Sequence, residues 1–269
     1  MSVAFMQYEF RAPALRALVR PAWGQAYGDG VNQLPGLIAP DAHLEFVFQT
    51  GAPCALSTAG QERASPPAMV FGLRHGALRL APRGANRMIA FRLPPVLAAV
   101  VLGVGISACW DEPVPLADLI GPAADDLLDE ISAGSFDQAC STLEAWLLGR
   151  LQGWDADHAR QMWLQRALLW RWTDQPVSAL ADELGFTSRT LRRHCERHAG
   201  LSPKQIVMSG RILRSCDLLL GPRKAPLAEI AGVLGFTDQS AFTSAFRRYM
   251  GMTPAQLRRE PLVHYERSP

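Results

Sequence analysis

Apolar positions from about residue 123 onward recur at three- and four-residue steps: Leu127, Leu128 and Ile131, then Leu143, Trp146, Leu147 and Leu151. Those steps match the turn of an α-helix and predict an all-helical second half. Upstream the pattern differs. The apolar runs His43–Gln49 and Ala68–Leu73 and the loosely alternating Leu78–Leu93 are separated by Gly/Pro clusters, which predicts a β-rich sandwich or small barrel over residues 1–105. Pro94–Pro95 then opens VLAAVVLG, a short helix, and a Gly/Pro-containing bridge runs on to Pro122. A long helix is expected over about Ala156–Trp172, ending at Asp174-Gln175-Pro176.

The helical half contains an internal repeat. Val177-Ser-Ala-Leu-Ala-Asp-Glu-Leu-Gly-Phe-Thr returns as Leu227-Ala-Glu-Ile-Ala-Gly-Val-Leu-Gly-Phe-Thr, and Gly200-Leu-Ser-Pro returns as Gly251-Met-Thr-Pro. The offset is 50 residues before the second helix of each unit and 51 after it, so one residue is inserted between. Two copies are too few for a solenoid, which needs about three. Each copy instead predicts a short amphipathic helix (176–184; 226–234) stopped at Gly185 or Gly235, a residue suited to positive φ. A turn of three or four residues follows, with Thr187 or Thr237 expected to cap a second helix (188–199; 238–250). Ala181 and Ala231, four residues before each glycine, leave room for the helices to approach. This is the pattern of a helix-turn-helix, whose second helix enters the major groove of DNA. Between the units, Pro203–Leu220 reads as one linker helix of about 27 Å, long enough to set two recognition helices near one duplex turn apart.

Charge supports that reading once it is divided. The chain of 269 residues has a formal charge of +2, but residues 151–269 hold 17 Lys and Arg against 11 Asp and Glu, and the first 150 are net negative. All but two of the 27 cations are arginine, the side chain that meets guanine or phosphate with two parallel hydrogen bonds. N-terminal residues of a recognition helix reach base edges, so Arg189, Arg192, Gln239, Ser240 and Thr243 are the candidate base readers; Arg193, Arg197, Arg247 and Arg248 suit phosphates. The cations gather on the second helix of both copies, which a plain helical bundle does not require.

The other signals narrow the class. No apolar run approaches the ~20 residues that span a bilayer, and Met1–Phe10 has neither a basic start nor a sustained apolar stretch, so a cytoplasmic protein is expected. Five widely spaced cysteines without a C-x-x-C pair read as reduced, buried thiols.

LADELGFTSRTLRRHCERHAGLSPKQ and LAEIAGVLGFTDQSAFTSAFRRYMGMTPAQ closely resemble the AraC/XylS family of bacterial transcription regulators, strongly over about residues 157–260. LPGLIAPDAHLEFVFQTG and the Gly-rich region around it are more weakly similar to the cupin-like N-terminal domain of one branch of that family. The resemblance implies an α+β multidomain chain. A β-rich cupin-like domain with trailing helices (1–150), for sensing or dimerisation, precedes an all-α DNA-binding domain (155–269) whose two helix-turn-helix units (176–200 and 226–251) are joined by a linker helix. It implies a sequence-specific transcription regulator of activator type and no enzyme, with double-stranded DNA, a small-molecule effector, RNA polymerase and a second copy of the chain as partners, and no cofactor. Trp23, Tyr27, Phe46, Phe48 and Phe71 are the candidates for lining an effector pocket. The alternative is a DNA-binding factor whose N-terminal domain only dimerises or binds a protein. Chemistry of other kinds lacks its residues. A cupin-type metal site needs a His-x-His pair, where His43-Leu-Glu45 supplies one histidine. The alkyl-acceptor cysteine of some family fusions lies in Pro-Cys-His-Arg, where Pro53-Cys54-Ala55-Leu56 has no histidine to activate the thiol.

Overall fold

The computed structural model describes residues 4–28, 36–38, 43–58, 61–71, 78–105, 109, 112–155, 157–159, 162, 164, 176–222 and 225–259. The strands are β1 (Ala4–Tyr8), β2 (Ala22–Tyr27), β3 (Gly36–Ile38), β4 (Leu44–Gly51), β5 (Ala55–Thr58), β6 (Gln61–Ala64), β7 (Ala68–Phe71), β8 (Leu78–Ala81), β9 (Asn86–Leu93) and β10 (Val114–Pro115). They form two antiparallel sheets, β1-β2-β9-β4-β7-β10 and β3-β8-β5-β6. His43–Gln49, Ala68–Leu73 and Leu78–Leu93 supply β4, β7, β8 and β9, so the expected β-rich half is present.

Side chains alternate across a strand, and the central strands β2, β9, β4 and β7 of the larger sheet are buried on both faces. Phe46, Phe48, Val70, Ile89, Phe91 and Leu93 turn toward the helices, and Val47, Met69, Phe71, Met88 and Ala90 meet Leu56, Leu78 and Leu80 of the smaller sheet. The helices on the outer face are α1 (Pro13–Leu18), α2 (Pro95–Leu102), α3 (Leu116–Ile120), α4 (Ala123–Ala133) and α5 (Phe136–Arg150). Gly24 of β2 lets Phe136 of α5 lie against the sheet, because a Cβ there would stand 2.4 Å from the ring. The carboxylate of Glu144, buried on α5, accepts the Tyr8 hydroxyl at 2.9 Å and the backbone N–H groups of Arg11 and Ala12, which stitches β1 and the start of α1 to α5.

Of the helix expected over 156–172, residues 157–159, 162 and 164 are described and helical; the remainder lies outside the described residues. The helices beyond are α6 (Val177–Glu183), α7 (Ser188–Ala199), α8 (Pro203–Leu220), α9 (Leu227–Val233), α10 (Gln239–Met250) and α11 (Pro254–Leu257). α6 to α10 fall where the periodicity predicted helices, with α8 the linker; α11 is a short helix that the sequence reading did not anticipate. Among the described residues, no helix is long and apolar enough to cross a membrane.

Apolar packing does not break between the β-rich half and the first helix-turn-helix unit. α2, PVLAAVVL, is buried on nearly every side and packs against both α5 and α7. Leu97, Ala98, Val101 and Leu102 therefore share one cluster with Leu191, Cys195 and Ala199 of α7 and with Ile206 and Val207 at the start of α8. Arg150 caps the end of α2, its Nε donating to the carbonyl of Val101 at 2.5 Å and Nη2 to that of Leu102 at 3.1 Å. The second unit has a separate core of Ile212, Cys216, Leu219, Ile230, Leu234, Phe242, Phe246, Met250 and Leu257.

Candidate nucleic-acid interface

Both units reverse the chain with the same hydrogen-bonded device. α6 closes on Gly185 at φ +69°, whose N–H donates to the Asp182 carbonyl at 3.1 Å while the N–H of Phe186 reaches back to Ala181 at 2.8 Å. α9 closes on Gly235 at φ +70°, with the matching bonds Gly235 to Gly232 at 3.1 Å and Phe236 to Ala231 at 2.9 Å. Two linked bonds of this kind, closed by a left-handed residue, satisfy the last carbonyls of a helix and aim the chain sharply away. Ala181 and Ala231 are fully buried beneath the turns, as their small size suggested.

The second helices begin differently. Thr187 caps α7, its hydroxyl accepting the N–H of Thr190 at 3.1 Å. Thr237 does not do this for α10, contrary to the expectation from sequence: Asp238 does, its carboxylate accepting the N–H of Ala241 at 2.7 Å. Aspartate is a better cap acceptor than threonine, and the inserted residue brings it to the place that Thr187 holds in the first unit. The two helices therefore correspond at a spacing of 51. Arg189 corresponds to Ser240, Arg192 to Thr243, Arg193 to Ser244, Glu196 to Arg247 and Arg197 to Arg248.

All nine candidate DNA-contacting side chains lie off the buried faces of these helices. Leu191, Cys195 and Ala199 turn α7 inward, leaving Arg189, Arg192, Arg193 and Arg197 exposed. Phe242, Phe246 and Met250 do the same for α10; Gln239, Ser240, Arg247 and Arg248 are exposed and Thr243 is half-buried. Along α7, Arg189, Arg192 and Glu196 follow one another at three- and four-residue steps and so form one stripe, with Arg193 and Arg197 beside it. The Nε of Arg192 donates to Oε1 of Glu196 at 2.6 Å, and this bond holds the guanidinium charged still more firmly. α8 begins with a reciprocal cap between Ser202 and Gln205, and its Arg211 lies over the ring of Phe236 at 5.5 Å, tying the linker to the turn of the second unit.

The five aromatic residues considered for an effector pocket do not share one site. Trp23 and Phe71 lie in the core between the sheets. Tyr27 shares the Trp23 face of β2 by alternation and donates its hydroxyl to Gln25. Phe46 and Phe48 point the other way, into the helix-facing core, where both stack on Phe91 and Phe46 also meets Trp146. A run buried on both faces, HLEFVFQ, hides this division because its hydrophobicity does not alternate. Between the sheets, Glu45 and Arg92 oppose one another on β4 and β9 and pair at 3.5 Å, both largely buried. All five cysteines are buried and none is in a disulfide, and burial pushes the Cys54 thiol up to about 11, far from the thiolate a nucleophile needs.

Residues 180–260 match a family model described as a helix-turn-helix domain. The chain is 34% identical over 84 residues to the Msm operon regulatory protein of Streptococcus mutans, covering 31% of this chain and 30% of that protein. It is 30% identical over 111 residues to the HTH-type transcriptional activator RhaS of Escherichia fergusonii, covering 41% of this chain and 35% of that one. Among solved structures, ToxT from Vibrio cholerae aligns over 96% of this chain and 98% of its own at 11% identity and a TM-score of 0.43. The chain thus spans about a third of the length of the curated relatives it matches. Residues 180–260 thus carry a helix-turn-helix domain, similar in sequence to those two regulators.

Proposed function

We propose that the chain is a sequence-specific DNA-binding transcription regulator whose residues 155–269 read two adjacent major-groove segments, one with α7 and one with α10. The observation that carries this is the doubled unit: two identical glycine turns, each followed by a capped helix with an apolar inner face and a polar, arginine-bearing outer one. Arg189, Arg192, Gln239, Ser240 and Thr243 read bases; Arg193, Arg197, Arg247 and Arg248 hold phosphates. Selection of bound duplexes from a random pool tests the reading. The expected product is an asymmetric site with two unequal halves, because Arg189 and Arg192 stand where the second unit has Ser240 and Thr243. A pool that emerges without a preferred sequence overturns it.

Residues 1–150 belong to the same reading as a module that pairs two copies of the chain and answers to a small-molecule effector, with RNA polymerase as the partner of an activator. The buried Glu45–Arg92 pair supports a polar effector bound between the sheets, since a buried ion pair contributes little stability compared with apolar residues of the same volume. A thermal-shift screen of the full chain against small acids and polar metabolites separates this from a module that only dimerises. A ligand at 100 times its dissociation constant adds about 2.7 kcal/mol of stability.

A further inference from the structure

We propose that Glu196 is a positioning residue for base readout, holding Arg192 so that its guanidinium meets a guanine edge in one orientation; this rests on the DNA-reading function proposed above. The pair joins Arg192 Nε to Glu196 Oε1 at 2.6 Å, with side chains 70% and 46% exposed on the outward stripe of α7. Because the carboxylate takes the Nε–H, the two terminal nitrogens of the fork are left to face O6 and N7 of guanine, the bidentate contact that distinguishes this base.

Helix stability does not account for a carboxylate at this position. In an i,i+4 pair the acidic residue stabilises a helix better when it precedes the basic one, and here it follows. Glu196 also stands one residue before the final turn of α7, where Arg197 and His198 suit the negative end of the helix dipole and a carboxylate does not. On a surface that approaches phosphates, its charge weakens binding to every sequence.

The second unit serves as an internal control. At the spacing of 51, Glu196 is replaced by Arg247 and Arg192 by Thr243. The fold accepts a cation where Glu196 stands, and the carboxylate occurs in the copy that has a long, flexible arginine to hold. The short hydroxyl of Thr243, one turn from Arg247, needs no such brace. One unit thus gives up a phosphate contact for a fixed reader, and the other keeps the cation for the backbone.

The test is a double-mutant cycle in the full chain with Glu196→Gln, Arg192→Ala and both together, each measured on the duplex selected from a random pool and on a scrambled duplex across a range of salt. Glu196→Gln is expected to tighten binding to scrambled DNA yet lower the selected-to-scrambled ratio by roughly fivefold, and to leave that ratio unchanged once Arg192 is gone. Equal tightening on both duplexes with Arg192 present makes Glu196 a repelling charge only and overturns the proposal. So does an unchanged ratio, or a new preferred base in place of a relaxed one, which makes Glu196 itself the reader. Failure of the underlying function appears separately, in a wild-type chain that binds all duplexes alike, and it removes the role of Glu196 with it.

Discussion

The carboxylate of Asp238 stands 2.7 Å from the backbone nitrogen of Ala241, occupying in the second unit the place of Thr187 in the first. Four backbone N–H groups at a helix start have no partner within the helix, and this contact satisfies one of them. Asp238→Ala is therefore expected to destabilise the second unit by about 1 kcal/mol, and Thr237→Ala to stay within about 0.5 kcal/mol of wild type. Urea unfolding of the two variants decides it; equal losses would return the cap to Thr237.

Gly185 tests the turn itself. Nothing lies within 4 Å of where a Cβ would sit, so any cost of Gly185→Ala comes from its φ of +69° rather than from a clash. An L-residue held in that region loses roughly 1–2 kcal/mol. The expected result is a lower midpoint of unfolding with weakened binding to the selected site. A variant as stable as wild type would contradict the hydrogen-bonded turn.

The proposed base readers and phosphate holders are expected to separate by their response to sequence and salt. Arg189→Ala is expected to cost about 1–3 kcal/mol on the selected site and little on scrambled DNA, whereas Arg247→Ala should weaken both and flatten the salt slope by about one unit. Identical losses on every duplex from both changes would refute the assignment.

The linker sets phase as well as distance. α8 is a continuous helix of 18 residues with Gly210 and Ser209 buried along its inner side, so on the proposed reading it holds α7 and α10 at one separation. Inserting about five base pairs between the two segments of the selected site turns one away from its reader on a duplex that repeats every ~10.5 pairs. Binding is expected to drop to that of a single unit. An affinity indifferent to the insertion would mean that only one unit reads DNA.

Acid should loosen the joint between β1 and α5. Burial pushes the Glu144 carboxyl up, but the N–H groups of Ala12 and Arg11 and the hydroxyl of Tyr8 outweigh it and hold it below its ordinary value of 4.5. Its contribution is thus in place above that value and is lost as the pH falls through the lower native one. Glu144→Gln should cost about 1–3 kcal/mol near neutrality and progressively less in acid. A variant whose deficit is the same at pH 3 as at pH 7 would show that the charge is not what holds the joint.

The helical half was legible because two signals agreed there, the three-to-four-residue period and a repeat that fixed the glycine turns twice over. What the repeat concealed was its own irregularity: identical Gly-Phe-Thr sequences invited identical caps, and only the extra residue and the stronger capping tendency of aspartate pointed to Asp238. In the β-rich half, β4 and β9 were visible as apolar runs, but β6, exposed along its whole length, carried no apolar signal. Phe46 and Phe48 looked eligible for a pocket with Trp23 because a strand buried on both sides does not announce which face each residue takes. α2 was readable as a helix, yet a segment apolar all round says nothing of its neighbours, and its contact with α7 had no sequence signature. The pairing of Glu196 with Arg192 emerged only with the side-chain geometry.

α8 crosses from one apolar core to another, with Ile206 and Val207 seated in the first and Ile212, Cys216 and Leu219 in the second. The two helix-turn-helix units therefore stand on unequal foundations. The first is built into the same masonry as the sandwich, with α2 packed directly against α7. The second hangs from half a helix and the small core beneath it. It can open on its own and close again, a difference that amide exchange would register as two tiers of protection within one chain.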